Sequence, residues 1–311
     1  MSRRLAAIAP LGAAVLWGGM YVVSRWGFDA IPPVTLAFLR VALGGAVLLL
    51  AVRLQGPTRS FAREEWSRFA LLGVWVAVTL ATQFLGTALT TASQGSLLTV
   101  LTPVFTLALG VALLDESLSR AKVVGTGLAL LGTLVVVSAT TDLGTLGGGV
   151  SGSLGGGSLA GTDAGLGVLS LLAASLGWAL YTVQGAPLVR RYGALTTATY
   201  STLFAVPLLA VGAGIEVLAT GVDLGAIRWT PALLAAVGYL GVASTALAWY
   251  LWYKGLEYVD SGTVAVFFFA QPVVGTVLGV LLLDEQTGPG FLLGGAVMAV
   301  GIYVVSSARD E

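Results

Sequence analysis

Ten times along this chain a run of apolar residues close to twenty long is closed by charge, proline or clustered glycine. A helix rises about 1.5 Å per residue and the hydrocarbon core of a bilayer is about 30 Å thick, so an apolar helix of this length just crosses it. The breaks put spans near 5–26, 33–54, 66–88, 93–114, 119–139, 164–187, 195–219, 231–255, 261–283 and 289–307. Continuous apolar runs are not the signature of a β-barrel, whose strands show stretches of about ten residues with alternating polarity. Composition agrees: the chain is 57% hydrophobic and 10% charged, with a mean hydropathy of +0.93, where a soluble domain carries about a quarter charged residues. The fold expected is all-α and integral to the membrane, with ten transmembrane helices.

The same composition removes function classes. Fifteen basic and fifteen acidic residues cancel, so no net field draws in nucleic acid. With no Cys and no His, the chain has no disulfide framework, thiol nucleophile, imidazole base or soft-ligand metal site. No metal and no cofactor are expected. A membrane-embedded enzyme would need acidic clusters within the spans to hold a metal or move protons, and the spans show none, so the reading is not an enzyme.

The start, "MSRRLAAIAPLGAAVLWGG", has the basic lead of a signal peptide. Its apolar run continues through "MYVV" to Arg25, long enough to span, and it reads as the first helix. With the N-terminus inside, the inner segments hold Arg3, Arg4, Arg53, Arg59, Arg63, Arg68, Arg120, Lys122, Arg190, Arg191, Lys254 and Arg309, and the outer ones only Arg25 and Arg228. That bias predicts a multi-pass plasma-membrane protein with both termini in the cytoplasm. Residues 140–163, nine of 24 of them Gly, read as a flexible external linker. It separates 1–139 from 164–311, each with five helices.

The two halves are copies. At an offset of 169, Pro103 falls on Pro272, Leu109-Gly110-Val111 on Leu278-Gly279-Val280, Asp115-Glu116 on Asp284-Glu285, Gly125 on Gly294 and Gly132 on Gly301. Eleven of the 30 positions from 103 to 132 agree. At an offset of 160, "AAVLWGGMY" (13–21) lies on "AASLGWALY" (173–181). Each copy has an odd number of helices, so the second enters the membrane upside down relative to the first. Two inverted repeats can exchange roles, which gives one structure two states open to opposite sides.

The five-helix unit with an Arg in its second helix ("FLRVALGG"), followed by "SQGSLLTVLTPVFTLALGVALLDESLS" and "VVGTGLALLGTLVVVS", resembles the EamA unit of the drug/metabolite transporter superfamily, here in tandem over nearly all of both halves. The resemblance implies movement of small metabolites across a lipid bilayer, often outward and often of amino acids or related compounds. The second half departs from the pattern in carrying Tyr200 at the position that matches Arg40. Facilitative uptake, or a non-transporting scaffold or sensor, would be the alternatives to an exporter.

Candidate binding residues are the polar and aromatic groups at mid-span. Trp17 and Tyr21, four apart, share a face of the first helix, and Trp178, Tyr181 and Gln184 repeat the stripe in the sixth. Gln83, Gln271, Trp249 and Trp252 add hydrogen-bonding and aromatic surface; a few polar groups among aromatics suit an amphipathic solute. Arg40 lies about 10 Å below the outer end of its helix, where an Arg costs about 2.5–3.5 kcal/mol on insertion scales and needs a partner or a wet cavity. It would attract a substrate carboxylate or phosphate, or hold helices together. Pro103 and Pro272 each remove the hydrogen bond to the carbonyl four residues earlier, those of Thr99 and Phe268. They would act as hinges, and a freed carbonyl such as that of Thr99 would serve a ligand. The Asp-Glu pairs, with Ser119, would cap the helices that follow them. Gly125, Ala129 and Gly132, answered by Gly295 and Ala299, would join the halves or build a homodimer.

Overall fold

The computed structural model describes residues 9–55, 60–89, 98–140, 163–274, 277 and 289–307. Among them are ten apolar helices in the order the spans predict. These are α1 (Ala9–Gly18 and Met20–Gly27), α2 (Pro33–Leu54), α3 (Arg63–Leu89), α4 (Thr102–Leu114), α5 (Arg120–Thr140), α6 (Asp163–Tyr192), α7 (Ala194–Thr220), α8 (Pro231–Leu256), α9 (Ser261–Val274) and α10 (Pro289–Ser307). Five of them, α2, α3, α6, α7 and α8, are each long and apolar enough to cross a membrane alone. The linker 141–162, the pair Asp284-Glu285 and the first turns expected of the fourth span lie outside the described residues.

Helix starts follow local chemistry. Proline stands in the first turn of α2 and α8, where its missing N–H costs no hydrogen bond. Thr230 caps α8 by accepting from Leu233 N at 3.2 Å, Asp260 caps α9 by accepting from Thr263 N at 2.8 Å, and Ser119 accepts from Lys122 N at 3.2 Å at the start of α5.

The packing pairs show the inverted symmetry. Helix α3 lies along α6, as α8 lies along α1, while α2 meets α7, α4 meets α9 and α5 meets α10. Every partnership maps onto itself or onto its counterpart when the repeats are exchanged. Direction is fixed by Glu116, one residue past the left-handed Asp115 (φ 53°) that ends α4. Its carboxylate accepts from Ser261 N at 2.8 Å, Ser261 Oγ at 2.9 Å and Gly262 N at 3.3 Å, at the start of α9. The end of α4 thus meets the beginning of α9, and equivalent helices run oppositely. Glu116 caps a helix of the other repeat, where the sequence reading had the acidic pair serve the helix that follows it. Beside it Lys122 Nζ pairs with Asp260 Oδ2 at 3.1 Å, both largely buried.

The α5–α10 seam is built from small residues. A Cβ on Gly132 would stand 2.4 Å from Met298 N and 2.6 Å from Gly294 O, and one on Gly125 would stand 2.8 Å from Gly301 O. Gly125 and Gly132 therefore join the halves of one chain, and their partners are Gly294 and Gly301; a Cβ on Gly295 would meet nothing within 4 Å.

Candidate functional site

The helices that carry repeated polar stripes converge on one small chamber, partly open to the outside. Trp17 and Met20 of α1 face Ala174 and Trp178 of α6 across it. Thr79, Leu80 and Gln83 of α3 answer Trp249 of α8, and Thr99 and Thr102 around the start of α4 answer Phe268 and Gln271 of α9. Arg40 of α2 has no counterpart from α7 in the wall. Tyr200, its match in the second repeat, packs instead against Phe61, Trp66 and Phe69.

Arg40 is 1% exposed and, among the described residues, is the one charged side chain of the lining. Its Nε donates to Thr245 Oγ1 at 2.9 Å, its Nη2 to Ser244 O at 2.9 Å and Ser244 Oγ at 3.2 Å, and its Nη1 to the thioether of Met20 at 2.8 Å. Its Cζ stands 5.5 Å from the ring of Phe84. Among the described residues no carboxylate lies within ion-pair distance. The acceptors come from a π-helical stretch of α8, Tyr239–Leu247, whose wider turn makes room for side chains among its backbone carbonyls. Ser244 O takes Trp17 Nε1 at 2.8 Å as well as Arg40, which ties α1 and α2 to α8 at one atom.

Aromatic contacts support the wall. Trp17 meets Trp178 edge-on at 5.1 Å between ring centroids, and Phe268 lies 5.5 Å from Trp17. Four side-chain polar atoms of the lining are buried without a hydrogen-bond partner: Thr79 Oγ1, Thr102 Oγ1, Trp178 Nε1 and Gln271 Nε2. Buried groups of this kind are normally satisfied, and their collection at one cavity marks it as a place where something else supplies partners.

The chamber collects seven of the residues singled out from sequence: Trp17, Arg40, Gln83, Thr99, Trp178, Trp249 and Gln271. The other four stand behind its wall. Tyr21 Oη is bonded to Thr99 Oγ1 at 2.6 Å and accepts from Gln83 Nε2 at 2.9 Å. Tyr181 stacks on Tyr253 at 4.8 Å, Trp252 donates to Thr182 Oγ1 at 3.0 Å, and Gln184 accepts from Trp75 Nε1 at 3.0 Å. The chamber also takes in Met20, Thr79, Leu80, Thr102, Ala174 and Phe268. Each stands three or four residues from a sequence-marked lining residue: Met20 from Trp17, Thr79 and Leu80 from Gln83, Thr102 from Thr99, Ala174 from Trp178 and Phe268 from Gln271.

Both prolines lie beside irregular turns. Residues 100–101 leave the helix just before Pro103, which occupies the first turn of α4. Phe267–Phe269 wind as a 3₁₀ turn just before Pro272. At the offset of 169 residues 100–101 fall on 269–270, so the two breaks overlap at Phe269 and each repeat interrupts the same helix at the edge of the chamber.

A family model described as the EamA-like transporter family matches residues 4–138 and 165–307. The chain is 26% identical over 302 residues to an "Uncharacterized transporter" of Archaeoglobus fulgidus, covering 96% of both chains. It is 27% identical to the "Probable amino-acid metabolite efflux pump" of Salmonella typhimurium, over 98% of this chain and 95% of the other. With the "Probable terminal-alkyne amino-acid exporter" of Streptantibioticus cattleyicolor it shares 26% identity over 94% of this chain and 90% of that one. A crystal structure 22% identical in sequence superposes with a TM-score of 0.75 and covers 98% of this chain and 99% of that one, a likeness of fold.

Proposed function

The chain belongs to the EamA-like transporter family, and from that premise we propose that it exports amino acids or related amphipathic solutes across the plasma membrane by alternating access. The observation that carries this reading is the chamber itself. It lies where paired helices of two inverted repeats meet, and α1 with α6, α3 with α8 and α4 with α9 each contribute to its wall. Exchanging the roles of the repeats moves its opening from one side of the membrane to the other. Pro103 and Pro272, at the two overlapping breaks, are the hinges of that exchange. The outward direction draws on the efflux pump and the exporter among its relatives.

In the topology proposed, the helix ends bearing Arg191, Lys122 and Lys254 face the cytoplasm together with both termini, and 140–163 forms an external linker between repeats 1–139 and 164–311. One chain is the transport unit, because the small-residue seam that would also suit a homodimer is occupied by α5 and α10 of the same molecule. Among the described residues the lining offers no carboxylate to carry a proton, and the chain has no His. That favours facilitated diffusion or exchange over proton-driven pumping, and it keeps facilitative uptake as the second reading. Saturable flux in proteoliposomes, changed less than twofold by an imposed pH gradient, is the expected result. Flux that depends on the gradient sinks the uncoupled mechanism, and no flux for any solute that binds sinks the carrier.

A further inference from the structure

The chamber's unpartnered nitrogens are both donors. Trp178 Nε1 and Gln271 Nε2 can only donate, and both are buried without an acceptor. Thr79 and Thr102 add two hydroxyls without partners. Arg40 brings a permanent charge whose contacts are to neutral oxygens and to a thioether, the weakest acceptor in its set. A guanidinium has five N–H donors in a planar fork, and the Nη1 edge, held by Met20 alone, is the part left for a stronger acceptor.

From this we propose that the chamber binds solutes through a single carboxylate, with no cationic group beside it, and lays an apolar or aromatic body against the tryptophans. The assignment rests on the carrier part of the reading above and, among the amphipathic solutes it allows, selects organic monocarboxylates over amino acids. Charge decides the head group. Among the described residues the lining holds one positive charge and no negative one, so a monoanion neutralises it, whereas a phosphate monoester near a charge of about −2 leaves negative charge unmatched. An ammonium beside the carboxylate, as in an amino acid, would sit a few ångströms from the guanidinium with no acidic side chain to meet it. Trp17, Trp178 and Phe268 supply flat apolar surface for the body. Bound in this way, a carboxylate also gives the stranded donors the acceptors they lack.

The test compares four probes that share one ring, 3-phenylpropanoate, phenylalanine, 2-phenylethylamine and phenyl phosphate, by saturable thermal stabilisation of the purified full-length protein. The expected result is that 3-phenylpropanoate binds tightest, at least tenfold tighter than phenylalanine or phenyl phosphate, and that the amine does not bind. Arg40→Gln should remove at least tenfold of the carboxylate's affinity. Should that variant not fold, Gln271→Leu and Trp178→Phe, which each remove a donor, should weaken it several-fold. Equal or tighter binding of phenylalanine, the amine or the phosphate overturns the assignment, as does no stabilisation by 3-phenylpropanoate. Counterflow in proteoliposomes separates this from the carrier reading. Arg40-dependent binding without counterflow overturns the carrier and leaves the monocarboxylate site, while counterflow of phenylalanine without any response to 3-phenylpropanoate does the reverse.

Discussion

A single hydrogen atom at Gly132 decides how closely the two halves approach. Any side chain there meets backbone rather than a flexible tip, with Met298 N 2.4 Å and Gly294 O 2.6 Å from an added Cβ. Overpacking of this kind costs about 1–3 kcal/mol. Gly132→Val should therefore lower the melting temperature of the purified protein by several degrees, whereas Gly127→Ala, whose Cβ meets nothing within 4 Å in mid-helix, should hold or raise it. Equal melting curves for the two variants contradict the seam. Sequence periodicity marked this small-residue face because helices can approach closely only where side chains are small. It matched Gly295 to it in error, since one residue of rotation, about 100°, separates the seam at Gly294 from the open face. Arg40 was legible for another reason: a buried charge in an apolar span is rare enough to stand out. Its partners were not, because Ser244 and Thr245 become acceptors only through the π-helical turn of α8.

At the scale of the element, α9 owes its start to two carboxylates from different sources. Asp260 accepts from Thr263 N within its own turn, and Glu116 reaches in from the other repeat to Ser261 and Gly262. Loss of a helix cap costs about 0.5–2 kcal/mol. Glu116→Ala should destabilise the protein by about 1 kcal/mol and, because the contact crosses the repeats, should raise the rate at which a Cys placed at Ser261 reacts with a water-soluble maleimide. The chain has no native Cys to confuse that measurement. A lower melting temperature without faster labelling would show that the cap stabilises α9 without holding the repeats together. The duplication of the Asp-Glu pair was readable in the sequence. That the first Glu caps a helix 145 residues away was not, because local capping rules describe only a residue's own chain neighbours.

For the whole molecule, inversion is the property on which alternating access depends, and side-specific labelling tests the orientation proposed for it. A Cys replacing Arg120, at the start of α5, should react with impermeant maleimide only in inverted vesicles, and one replacing Arg228, between α7 and α8, only in right-side-out cells. Reaction of both from one side would end the topology. The sequence by itself determined the number of spans, the duplication, and the opposite insertion of the two copies, since helix length, the thickness of hydrocarbon and the parity of five are local or countable quantities. Only the tertiary structure decided which polar side chains share the chamber and which stand behind it. An i, i+4 stripe fixes a face of one helix, but the neighbour that face meets depends on how helices from the opposite repeat cross it. For that reason Trp17 and Trp178 line the cavity while Tyr21 and Tyr181, on the same stripes, became its supports.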